Sequence, residues 1–187
     1  NMKIELDIAD REIFFSGQVK QENMKEIASK ITEINESDRI NEKLMKVYGL
    51  TYTPEPIKLY IDSYGGAVYQ CFGLLGHMEN SITPVHTIAT GAAMSCGFMI
   101  LINGHRRFAF KNATPLYHQV STGFFGKVED MEIDVKETKR LQRELEKMTL
   151  KKTKITKTIL KANREKKIDW FMTADEALKL GVVDEII

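Results

Sequence analysis

The segment Gly91-Ala92-Ala93-Met94-Ser95-Cys96-Gly97 sets a hydroxyl and a thiol side by side among small apolar residues. A Ser in such a setting most often caps a helix or satisfies itself within a core. As a nucleophile it needs a base to take its proton. The chain offers four His. His77 falls on the polar side of a helical pattern, His86 alternates with the apolar residues of a strand, and His105 follows Asn103-Gly104 in a turn. His118 closes the β-type run Leu116-Tyr117 and precedes Gln119, which makes it the best-placed partner for Ser95. A third group must orient the imidazole, and 26 Asp plus Glu are too many for spacing to select one. The residues alone therefore support Ser95 with His118 and leave the acid open.

Gly65 and Gly66 follow the run Ile57-Lys58-Leu59-Tyr60-Ile61 and lead directly into a helical pattern. Paired glycines let the backbone approach a ligand closely, and N–H groups at a helix start favour an anion. A tight strand-to-helix turn accounts for the same pair equally well. Cys71 and Cys96 have no metal-ligand spacing with each other or with any His, so no metal site is predicted. Cys96, beside Ser95, is read as packing its thiol as a small apolar group and offering its backbone N–H.

These residues need elements to hold them. Ile4, Leu6 and Ile8 alternate with polar neighbours and Glu12-Ile13-Phe14-Phe15 ends at Ser16-Gly17, which predicts two short opening strands. Met24, Ile27, Ile31 and Ile34 recur at helical spacing over Glu22 to Ile40, and Asn41 to Pro56, with Gly49, Pro54 and Pro56, reads as a helix end and a loop. A strand over Ile57 to Ile61 and a helix over Ala67 to Met78 follow. Val85 to Ala89 is a further strand, and Ala92 to Ile102, apolar all round, reads as a buried helix. Arg106 to Phe110 and Leu116 to His118 read as strands. A long charged helix carries Val128, Met131, Val135, Leu141, Leu145 and Met148, and the chain ends with a helix over Thr173 to Leu180, a stop at Gly181 and a strand at Val182-Val183. Strands alternating with helices predict an α/β domain with a largely parallel sheet, whose sites gather at the carboxyl ends of the strands.

Composition bounds what that domain does. With 187 residues the chain makes one domain, and 43% hydrophobic content at a net charge of +1 excludes intrinsic disorder. Two Cys exclude a disulfide scaffold. The longest apolar run, Ala92 to Ile102, is shorter than the roughly 20 residues of a bilayer span, and no Lys/Arg-led apolar leader opens the chain, so a soluble cytoplasmic protein is predicted.

Several segments in order resemble the Clp protease proteolytic-subunit (ClpP) family, from about Arg11 to the end of the chain. Ile13-Phe14-Phe15-Ser16-Gly17-Gln18-Val19 is similar to its first strand and turn, and Leu59-Tyr60-Ile61-Asp62-Ser63-Tyr64-Gly65-Gly66 to its strand ending in Asn-Ser-Pro-Gly-Gly. Gly91 to Gly97 resembles the nucleophile segment and Tyr117-His118-Gln119 the histidine segment. Asp169-Trp170-Phe171-Met172-Thr173-Ala174, then Glu176-Ala177 and Gly181-Val182-Val183-Asp184, resembles the aspartate segment and closing helix. The resemblance implies an α/β, ClpP/crotonase-like fold of repeated ββα units with a protruding handle helix, as a single domain over residues 1–187 with the handle near 120–160. It implies an ATP-dependent serine endopeptidase subunit: Ser95 as nucleophile, His118 as general base, Asp169 orienting His118, and the N–H groups of Gly66 and Cys96 as oxyanion hole. Gly65 and the segment from Val120 through Ser121, Thr122 and Gly123 to Gly126 would bind substrate, the segment acting as a strand beside the substrate backbone. It further implies heptameric rings stacked into a tetradecamer around unfolded polypeptides and an AAA+ unfoldase as partner. No cofactor is expected on this chain, the ATP being used by that partner.

The sequence also departs from the family pattern. Tyr64 stands where Pro is usual, Cys96 where Met is usual, and Val120 follows Gln119 where Pro is usual. The segment from Ser37 to Pro56 is long, in a region that in the family faces the ATPase, and little chain precedes Ile4 where the family carries an axial loop. These features suit a divergent member, such as one encoded by a phage or mobile element. Alternatives are a capsid-maturation or signal-peptide-peptidase-like protease and a non-catalytic ring subunit; the intact Ser95, His118 and Asp169 set weighs against the latter. Lys139 to Lys167 carries 12 Lys/Arg against 3 Glu, a local +9 that leaves −8 elsewhere. A solvated handle or charge-paired interface explains that run better than nucleic acid does.

Overall fold

The computed structural model describes residues 5–6, 9–123 and 125–187. Its elements are β1 (Glu12–Val19), α1 (Gln21–Val47), β2 (Ile57–Gly66), α2 (Val68–Glu79), β3 (Val85–Met94), α3 (Cys96–Ile102), β4 (Arg106–Ala109), β5 (Thr114–Tyr117), α4 (Val128–Lys152), α5 (Lys157–Lys166), β6 (Trp170–Phe171), α6 (Ala174–Lys179) and β7 (Glu185–Ile186). The strands make one seven-stranded sheet in the order β1-β2-β3-β4-β7, with β5 on β3 and β6 on β5. Every pairing is parallel except β5 with β6. The expected α/β architecture with a largely parallel sheet is thus observed.

Alternation along β2 buries Ile57, Leu59, Ile61 and Ser63 in turn, so one sheet face enters a core shared with Ile27, Ile31 and Ile34 of α1 and Leu74 and Met78 of α2. Helix α3 is apolar on every side, and Phe98 through Ile102 are all buried. Helix α4 touches α3 through its C-terminal half, where Leu141, Leu145 and Thr149 are buried, while Val128 and Ile133 near its start remain exposed.

The structure corrects several element boundaries. Of the expected opening strand, Ile4 and Ile8 lie outside the described residues, and the first described strand is β1. Helix α1 continues to Val47 rather than ending near Ile40. Its second half buries Asn35, Asp38 and Asn41 instead of aliphatic side chains, and polar burial leaves no hydrophobic period. Arg11 grips both carboxylate oxygens of Asp38 at 2.8 and 2.5 Å, Tyr52 donates to the same carboxylate at 2.6 Å, and Thr83 donates as well. That cluster ties the long segment after Ser37 to β1 and to the start of β3. Residues Ala92, Ala93 and Met94, expected in a helix, extend β3 because β5 pairs with them as Thr114, Pro115 and Leu116. Val182 and Val183 are buried but not in a strand, which falls instead at Glu185–Ile186 against β4. Helix α5 was not expected, since Lys and Arg mask its single buried residue, Leu160.

Candidate active site

Two ladder irregularities shape the end of the sheet. The β1/β2 register shifts between Ser16 and Gln18, around Gly17 at φ +100°, and the β2/β3 register shifts between Ile61 and Ser63. Such bulges turn strand ends and re-aim the residues beyond them. Gly65 and Gly66 sit there at φ +102° and +151°. A Cβ on Gly66 would meet the Val19 carbonyl oxygen at 2.4 Å, and one on Gly65 would meet Ser95 Cβ at 2.6 Å. The glycine pair is therefore wedged between β1 and the Ser95 segment, a position only glycine can occupy.

Ser95 joins β3 to α3 at φ 55°, ψ −120°. A non-glycine residue in that region stores about 1–3 kcal/mol of strain, which surrounding contacts must hold. Ser95 N–H donates to the Leu116 carbonyl at 3.1 Å, and the Ser95 carbonyl accepts from Met99 N–H at 3.1 Å. Cys96 opens α3, and its N–H lies 3.1 Å from where a Gly65 Cβ would stand. The Cys96 thiol donates to the Gly66 carbonyl at 3.3 Å, and Cys71 Sγ sits 3.7 Å from the Cys96 carbonyl. A separate hydrogen bond between the two thiols, with burial, holds Cys71 well above its ordinary pKa, and the same thiol–thiol contact holds Cys96 below its own.

His118 follows β5, and Asp169 precedes β6. The antiparallel register pairs Leu116 with Phe171 and Tyr117 with Trp170, so the next step sets His118 opposite Asp169. Their side chains meet with Nδ1 3.4 Å from Oδ1, at 28% and 62% exposure. Among the described residues no hydrogen bond joins Ser95 Oγ to His118.

A cleft of about 590 Å³ collects these groups. Of the expected site residues, Gly65, Gly66, Ser95, Cys96, His118, Val120 and Ser121 line it, whereas Thr122 and Gly123 do not, and Asp169 meets it through His118. The expected substrate strand from Val120 to Gly126 has no strand pairing over its described residues, and Phe124 within it lies outside them. Val120 N–H is instead taken by Gln142 Oε1 at 2.8 Å. Sequence reasoning missed Gly17, Gln18, Tyr64, Val68, Met99, Tyr117 and Leu145 as lining residues. Met99 and Leu145 are apolar members of helix patterns, and nothing in those patterns distinguishes a core wall from a cleft wall. Tyr117 is buried, and that burial, with Glu146 nearby, pushes its phenol up to about 12.

Among the described residues no group of three or more His, Cys, Asp or Glu could hold a metal ion, and no helix is long and apolar enough to cross a membrane. Of the cations between Lys139 and Lys167, Arg140, Lys147, Lys161 and Arg164 are committed to carboxylates.

Comparison with known proteins adds a family to this geometry. The family model described as Clp protease matches residues 4–187. The chain is 36% identical over 135 residues to an ATP-dependent Clp protease proteolytic subunit of Deinococcus radiodurans, covering 71% of this chain and 65% of that protein. It is 33% identical over 133 residues to the same-named protein of Porphyromonas gingivalis, covering 70% and 59%, and 35% identical over 133 residues to the proteolytic subunit 2 of Bacillus licheniformis, covering 70% and 69%. The chain thus spans between 59% and 69% of the length of these relatives.

Proposed function

The chain belongs to the Clp protease family, and from that premise we propose that it is a serine endopeptidase subunit acting on unfolded polypeptide. The convergence of Ser95, His118 and the Gly65-Gly66 turn on one cleft, from three separate stretches of chain, carries the reading. His118 takes the Ser95 hydroxyl proton as Oγ attacks the scissile carbonyl, and Asp169 holds the imidazole tautomer and the imidazolium that forms. The Gly66 and Cys96 N–H groups face the developing oxyanion, where each such donor is worth roughly 3–4 kcal/mol. His118 then returns the proton to the leaving amine, and water attacks the acyl-Ser95 ester by the same route.

The strained backbone of Ser95 supports this assignment, because a cap or core hydroxyl needs no residue at φ 55°. Gly65, Val120 and Ser121 are proposed to meet the substrate backbone along the cleft, with Thr122 and Gly123 joining when a substrate strand pairs with that segment. The working form is proposed to be a ring, heptameric or stacked as a tetradecamer, fed by an AAA+ unfoldase that consumes the ATP.

The test is labelling by a fluorophosphonate together with peptide hydrolysis, on material sized by light scattering. Wild type should label and hydrolyse, and Ser95→Ala should do neither while keeping the same assembled size. Wild-type protein that is folded and assembled but neither labels nor cleaves overturns the proposal.

A further inference from the structure

The hold on His118 is thin where it is usually sought. Its ring meets one carboxylate at 3.4 Å, and that carboxylate is 62% exposed. The backbone beyond it has no ladder partner through residue 123. Yet a base displaced by about 1 Å loses on the order of a hundredfold in rate. Something else must fix this segment.

Gln142, on the α4 face toward the cleft, touches the chain on both sides of His118. Its Oε1 accepts from Val120 N–H at 2.8 Å, and its Nε2 approaches Tyr117 Oη at 3.4 Å. The same Nε2 donates to Glu146 Oε1 at 3.1 Å, one helical turn on, and Glu146 accepts from Arg164 of α5 at 2.9 Å. The amide is thereby oriented: with its N–H₂ drawn to Glu146, its oxygen must face Val120. Tyr117 is itself pinned, its ring edge-on to Phe98 of α3 at 5.8 Å between centroids. Phe98 lies three residues beyond Ser95.

We propose that Gln142 is a positioning residue that clamps Tyr117 and Val120 and so holds His118 toward Ser95. This rests on the serine-peptidase reading above. Glu146 and Arg164 act behind Gln142 by fixing which end of its amide faces Val120. A leucine at 142 keeps the bulk and removes both contacts. A glutamate keeps the acceptor for Val120 but loses the donor, and it faces Glu146 as a second carboxylate until one of the two is protonated.

The full-length assembled protein is used, with the second-order rate of fluorophosphonate labelling and the kcat and KM for a peptide measured between pH 5.5 and 8.5. Gln142→Leu should lower labelling and kcat about tenfold to a hundredfold, and any rise in KM from a loosened Val120 should be smaller than the fall in kcat. Gln142→Glu should be impaired at pH 8 and regain activity relative to wild type as the pH falls, because a shared proton restores the donor. Wild-type protein that does not label sinks the peptidase reading and this inference together. Wild type and Gln142→Leu labelling at equal rates sinks the inference alone. If Gln142→Leu does not fold, the glutamate variant decides, and an activity ratio to wild type that is flat with pH overturns the clamp.

Discussion

Replacing Gly65 by Ala tests the packing that places Ser95. Two penalties act at this position. The backbone stands at φ +102°, a region open to glycine but costing about 1–3 kcal/mol for a residue with a Cβ. The new methyl would also lie 2.6 Å from Ser95 Cβ and 2.9 Å from the Met94 carbonyl oxygen. Unstrained carbon–carbon contacts lie near 3.5–4.0 Å, so the overlap with Ser95 Cβ is about 1 Å, that with the Met94 oxygen is smaller, and both must be relieved by movement. Overpacking of this kind costs about 1–3 kcal/mol. Together these predict a loss of about 2–6 kcal/mol, divided between global stability and a shift of the Ser95 segment. A shift near 1 Å lowers the labelling rate by about a hundredfold. Urea unfolding and fluorophosphonate labelling, read on the same samples, report the two parts. Gly73→Ala is the control: a Cβ there meets nothing within 4 Å in the middle of α2, so it should stabilise by about 0.5–1 kcal/mol. Gly65→Ala that unfolds within about 0.5 kcal/mol of wild type and labels at the wild-type rate would refute the account of this turn.

Asp38→Ala should destabilise by about 3–5 kcal/mol by urea unfolding, since it removes the buried partner of Arg11, Tyr52 and Thr83. Burial, the largest single influence on Asp38, pushes its carboxyl up, but the hydrogen bonds from Arg11, Thr83 and Tyr52 together hold it below its ordinary value. A carboxyl depressed in the folded state contributes stability above about pH 4 that is lost as the pH falls through its folded value, so wild type should weaken there and Asp38→Asn should not show that component. Asp169→Asn should lower kcat by about 10- to 1,000-fold, less than the loss on removing a buried triad acid, because its contact with His118 is long and exposed; a loss equal to that of Ser95→Ala would mean that Asp169 is buried in the working assembly.

The fold was legible where burial is apolar and periodic. Alternation in β2 and the Met24, Ile27, Ile31, Ile34 series of α1 are visible because each element lays one aliphatic face on the same core. Helix α1 beyond Ile40 was not, because Asp38 and Asn41 are buried by polar partners brought from Arg11, Tyr52 and Thr83, far apart in sequence. The strand over Ala92 to Met94 was hidden for another reason. Small apolar residues suit a buried helix and a central strand alike, and only the arrival of β5 decides between them.

The candidate site divides along the same line between local and distant causes. Ser95 and the glycine pair carry their signal locally, since a hydroxyl among small residues and two adjacent glycines are unusual wherever they occur. Asp169 does not: spacing could not choose it among 26 acids, and it lies beside His118 only because an antiparallel step between β5 and β6 is superimposed on a parallel sheet. The charge distribution follows similar logic. A total of +1 conceals a basic stretch from Lys139 to Lys167, of which the fold buries Leu141, Leu145 and Thr149 and leaves the cations at the surface. Arg164 is aimed at Glu146, Glu146 at Gln142, and Gln142 at the backbone that carries His118. A run that reads in sequence as solvated surface therefore includes, in three dimensions, side chains that hold the backbone at Val120, one of the residues lining the cleft.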